Sequence, residues 1–125
     1  MIKAVILLDG AGYDIPQEMS TAGPLLRQRY RQAFTDDVAT QQDASPLAHV
    51  APEKGIPPFL IMPIAARADS QAQSQALAVA LTAAGVRATV AVADDKSHRT
   101  LNTEFGSPDD PATQNALTFL QDVLR

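Results

Sequence analysis

The chain has 125 residues, of which 46% are hydrophobic and 19% charged, with a net charge of −4; this is the composition of one soluble globular domain, residues 1–125. The acidic balance excludes an electrostatic nucleic-acid binder, because clustered Lys and Arg carry most phosphate binding. Cysteine is absent, which removes disulfides, thiolate metal sites and thiol nucleophiles together and leads to the expectation of a cytoplasmic setting.

The opening apolar run, Ala4 to Leu8, is too short for a signal-peptide core or a membrane span and predicts a buried strand over residues 2–8. It ends at Asp9-Gly10-Ala11-Gly12, which lacks the third glycine of a dinucleotide loop and reads as a tight turn. Residues 24–34 predict a helix, with Pro24 at its start and Leu26, Tyr30 and Phe34 spaced by four. Arg27, Arg29 and Arg31 on that helix read as a solvated face. A polar stretch punctuated by Pro46, Pro52, Pro57 and Pro58 follows.

Residues 59–65 (FLIMPIA) and 87–93 (RATVAVA) predict two more strands. Continuous apolar runs, rather than strict alternation, mark strands covered on both faces, as in parallel sheets. Between them a helix is expected over about 71–84, capped by Ser70 and stopped by Gly85. A last helix is expected over about 111–124, capped by Asp110, with Pro111 in its first turn and Leu117, Leu120 and Leu124 on its apolar face. The order predicts an α/β domain of three layers, with a short, mostly parallel sheet of about three strands, right-handed crossovers and helices on both faces.

In such a sheet the functional groups gather at the carboxyl ends of the strands. Asp69 follows the second strand and His98 the third, so neighbouring strands would bring a carboxylate to an imidazole, the acid–base half of a serine-hydrolase triad. The nucleophile is missing. None of Ser20, Ser45, Ser70, Ser74, Ser97 and Ser107 lies in a G-x-S-x-G elbow. Ser97 adjoins His98, where backbone geometry makes proton transfer awkward. His49 is expected to satisfy local backbone groups. Two histidines without an H-x-x-x-H or carboxylate cluster predict no metal site, and no cofactor is expected.

The succession AVILLDGAGYD, ASPLAHV, PPFLIM…ADSQAQSQALAVALTAAGV and KSHRTLNTEFGSPDDPATQNALTFL resembles the C-terminal half of carboxylesterase- and lipase-like α/β-hydrolases, the arylformamidase-like esterases among them. The resemblance covers essentially the whole chain and implies a partial α/β-hydrolase fold, with Asp69 as triad acid and His98 as general base. It also implies that nucleophile and oxyanion hole belong to strands preceding residue 2, so that the isolated chain is inactive. Pro63, Gln41 and Asp94-Asp95 depart from the family pattern. Two readings follow: a carboxylic ester hydrolase fragment completed by another segment, with a small ester or apolar ligand, or a non-catalytic homodimeric module joined through the exposed edge of strand 2–8.

Overall fold

A computed structural model describes all of residues 1–125. Three parallel strands, β1 (Val5–Leu8), β2 (Phe59–Met62) and β3 (Ala88–Val90), form one sheet in the order β1-β2-β3. Val5 pairs with Phe59 and Leu8 with Met62, while Phe59 pairs with Ala88. The strands are shorter than the apolar runs predict. Pro63 explains the second: it has no N–H to donate, so the ladder stops at Met62 and resumes as a single bridge between Ile64 and Ala93.

Alternation along the strands sends side chains to two separate cores. Leu60 and Met62 join Ile64, Leu101, Ala112, Ala116 and Phe119 on one face. Ile61 joins Tyr13, Leu77, Ala78 and Leu81 on the other. Helix α4 (Ala68–Ala83) covers the second face, and α5 (His98–Glu104) and α6 (Pro111–Val123) cover the first. The domain is therefore a small α/β fold with helices on both faces of its sheet.

The β1–β2 crossover holds α1 (Ile15–Thr21), α2 (Pro24–Phe34), α3 (Val38–Asp43) and a 3-10 turn at Pro46–His49. Asp14 caps α1 by accepting from Gln17 N at 3.2 Å. The Arg27 guanidinium donates to Met19 O (3.1 Å) and Ala22 O (3.0 Å), satisfying carbonyls that the end of α1 leaves free. Helix α2 forms where the sequence predicts it, but none of its residues is buried.

Two helix expectations change in detail. Helix α4 begins at Ala68, and Ser70 is not its cap: the Ser70 hydroxyl donates to Gly10 O at 2.8 Å. The Asp110 cap of α6 is as expected, accepting from Thr113 N at 2.9 Å, but its inward face carries Ala112, Thr113, Ala116 and Phe119. Leu117 and Leu124 are exposed. Bulky Phe119 and the small alanines fit against β2 better than a leucine row, because packing selects shape as well as hydrophobicity.

Candidate functional site

Asp9 stands directly after β1 in the left-handed backbone region (φ 50°) and is 1% exposed. Its N–H continues the ladder by donating to Met62 O at 2.7 Å. The carboxylate is held from three sides: Ile64 N donates to Oδ1 (3.1 Å), while Arg67 Nη1 (3.0 Å) and His98 Nδ1 (2.8 Å) reach Oδ2. Burial, the largest single influence, pushes the Asp9 pKa up; the Ile64 N–H, the Ser70 hydroxyl, His98 and Arg67 together outweigh it and hold the carboxyl below the usual range.

His98 opens α5. Ser97 precedes it as the cap: its hydroxyl accepts from Thr100 N at 3.1 Å, and the Thr100 hydroxyl in turn accepts from Ser97 N at 2.9 Å, closing a capping box. The serine nearest in sequence is thus occupied in the helix start. With Nδ1 against Asp9, the other ring nitrogen of His98 is left toward solvent, the side chain being 62% exposed. Lys96 anchors the same loop through ion pairs with Asp110 (2.8 Å) and Glu104, which raise the lysine pKa and lower that of Asp110 to about 2, its Lys96 contact leading.

The expected pairing of Asp69 with His98 is not what the structure holds. Helix α5 packs back against β1 through Leu101, which shares a core with Ala4, Ile6 and Leu8, so its first residue lies over the end of β1 rather than β2. Asp69 lies in the first turn of α4, on the other face, where its Oδ2 accepts from Arg67 Nη2 at 3.0 Å. Burial raises the Asp69 pKa, but the Arg67 hydrogen bond and charge and the Ser70 N–H bring it below the usual value. Arg67 therefore links the two aspartates.

Behind Asp69 is Glu18 of α1, 1% exposed, with Oε2 unpartnered. Burial first, then the Asp69 charge, pushes its pKa up. The Tyr13 hydroxyl is also buried without a partner and packs against Gly10, where an added Cβ would lie 2.1 Å from it. The Tyr13 ring lines an apolar cleft of about 380 Å3 together with Leu7, Phe59, Leu77 and Leu81. His49 bonds the Asp43 carbonyl, as expected of a local backbone partner.

No three His, Asp or Glu side chains are arranged to hold a metal ion; at the carboxylate cluster the cation is Arg67. Asp9, Arg67 and Glu18 are the site residues that sequence reading passed over. Asp9 was open to the rule that singled out Asp69, since it too follows a strand, but the glycines after it read as a turn.

Fold and site thus define a small parallel α/β domain with an Asp–His pair at the carboxyl edge of its sheet. No family model matches the chain, and no curated protein or solved structure gives a significant match. No helix is long and apolar enough to cross a membrane.

Proposed function

We propose that this chain is the acid–base portion of a carboxylic ester hydrolase of the α/β-hydrolase type, working in a reducing cytoplasm, with His98 as general base and Asp9 in the place of the triad acid. The observation that carries the reading is the 2.8 Å contact of His98 Nδ1 with a buried carboxylate. Asp9 accepts the Nδ1 proton, so Nε2 keeps its lone pair and faces outward. A serine hydroxyl brought to Nε2 loses its proton to the ring as its oxygen attacks the ester carbonyl. The ring then returns that proton to the departing alcohol.

None of the six serines meets the requirement. Ser97 is in a cap, Ser70 donates to Gly10 O, Ser45 donates to Gln41 O and Ser20 to Gln17 O; Ser74 is fully buried, and Ser107 lies in F-G-S-P-D. The nucleophile and oxyanion donors therefore come from outside these 125 residues. The apolar cleft beside Tyr13 suits the hydrocarbon part of a small ester.

Nitrogen-15 NMR of the histidine ring tests the pair. Asp9→Asn should shift the His98 tautomer away from a bare Nε2, and Asp69→Asn should leave it in place. An unchanged tautomer in Asp9→Asn overturns the assignment.

A second reading is favoured by the position of β1. It is an edge strand of four apolar residues, Val5-Ile6-Leu7-Leu8, with no charge, proline or bulge to discourage pairing. Two copies meeting antiparallel across a two-fold axis would form a six-stranded sheet, making the chain a homodimeric binding module.

A further inference from the structure

Strand β3 is the last of the sheet, and only every second residue along it turns its backbone to β2. The Arg87 carbonyl accepts from Phe59 N, Ala91 N donates to Ile61 O and Ala93 N donates to Pro63 O, each at 2.9 Å. The residues between them, Ala88, Val90 and Val92, therefore point their N–H and C=O groups to the side where no strand lies. Nothing in the sequence guards that side: Ala88-Thr89-Val90-Ala91-Val92-Ala93 holds no charge and no proline.

Beside this edge α4 and β3 enclose a groove of about 580 Å3, lined by Gln75, Val79, Thr82 and Val90 among others and by no charged side chain. Val79 is 67% exposed there. Charge appears only past the end of the strand, where Asp94 and Asp95 are both exposed and neither forms an ion pair.

These features describe a partner. The unpaired backbone row calls for an extended chain, the uncharged groove for small apolar or hydroxyl side chains, and the two free carboxylates for a cation. A second copy of this chain lacks the last of these: the cations that flank its β3, Arg87 and Lys96, are held by Asp122 and by Asp110 and Glu104.

We propose that the free edge of β3 takes an extended segment of another protein as an added antiparallel strand, uncharged where it runs beside Ala88, Val90 and Val92 and basic at the amino end that reaches Asp94 and Asp95. In the antiparallel sense each of the three residues exchanges two hydrogen bonds with the residue opposite. Backbone bonding supplies the affinity, and the groove and the carboxylates set register and direction. The surface lies at the margin opposite β1, so it stands apart from the hydrolase reading and from pairing through β1.

Amide NMR of the intact chain tests this with a capped peptide of two lysines followed by alternating valine and threonine. The peptide should shift the Ala88, Val90 and Val92 amides in one saturable step and leave those of β1 in place. With two glutamates instead of the lysines it should bind roughly threefold to tenfold more weakly at low salt, the range of two exposed ion pairs, and the gap should close in Asp94→Asn/Asp95→Asn. Val92→Pro removes an outward N–H and no rung to β2, so it should keep the fold and lose the peptide. Val79→Gln, at an exposed groove position, should also weaken binding and serves if the proline variant does not fold. The proposal is overturned if the peptide moves none of the three amides, if the lysine and glutamate peptides bind alike, or if the three amides shift on dilution without peptide, which would make a second copy the occupant.

Discussion

His98 Nδ1 and Asp9 Oδ2 are 2.8 Å apart although 89 positions separate them in the chain. Asp9 is also the shared point of the Arg67 ion pair and the Ile64 hydrogen bond, so strand, helix start and site converge on one carboxylate. Removing it with Asp9→Ala leaves the Ile64 N–H without its acceptor and the Arg67 guanidinium with only Asp69 and the Asp9 carbonyl. Urea unfolding should show a loss of about 1–3 kcal/mol, the cost of leaving a buried donor such as the Ile64 N–H unsatisfied. A loss under about 1 kcal/mol would contradict the burial argument.

Ester hydrolysis should not be detectable above a His98→Ala control when the chain is assayed alone with short p-nitrophenyl esters. A fluorophosphonate probe should label none of the six serines. Stoichiometric labelling of any one of them would place the nucleophile inside the chain after all.

For assembly, light scattering should report twice 13.3 kDa at micromolar concentration. Val5→Lys, which lies outside both buried clusters, should return a folded monomer because a lysine guards the strand edge. A wild-type monomer, or an unchanged dimer in the variant, would rule out pairing through β1.

The orientation of α6 can be read from two substitutions. Phe119→Ala should cost about 3–5 kcal/mol, as buried Phe truncations do. Leu117→Ala, at an exposed site, should stay within about 0.5 kcal/mol of the parent. The reverse order would restore the leucine face expected from sequence.

Stability should decline on both sides of a pH optimum. Asp9, Asp69 and Asp110 all have lowered folded pKa values, so their contribution is present above the ordinary aspartate value and is lost as pH falls through the folded ones. Glu18 is raised and acts oppositely, withdrawing stability as pH climbs above the glutamate range. Denaturant midpoints measured against pH should show the decline just above the glutamate range vanish in Glu18→Gln, leaving only the decline at the pH where tyrosine and lysine titrate.

The strands and helices α2, α4 and α6 were legible because their signals are local: apolar runs, a Pro at a helix start, an Asp cap. Short α1, α3 and α5 carry too few turns for a periodicity to emerge. Pairing of His98 was not legible, since it depends on α5 turning back across the sheet to β1. That path is decided by α5 packing on β1, with Leu101 in the core that Ala4, Ile6 and Leu8 border, a meeting of distant segments with no trace in local spacing. The same holds for Arg67, an ordinary surface residue in sequence, whose neighbours exist only once β1 and β2 lie side by side.

Asp9 turns into the left-handed region as β1 ends, and the rung after Met62 is made by its side chain: Ile64 donates to the Asp9 carboxylate instead of to backbone. The carboxylate therefore gauges the stagger between two strands. Strain applied along the free margin of β1 would reach the imidazole through one hydrogen-bonded hinge, and a change in the His98 ring resonances would register it before any change in melting temperature.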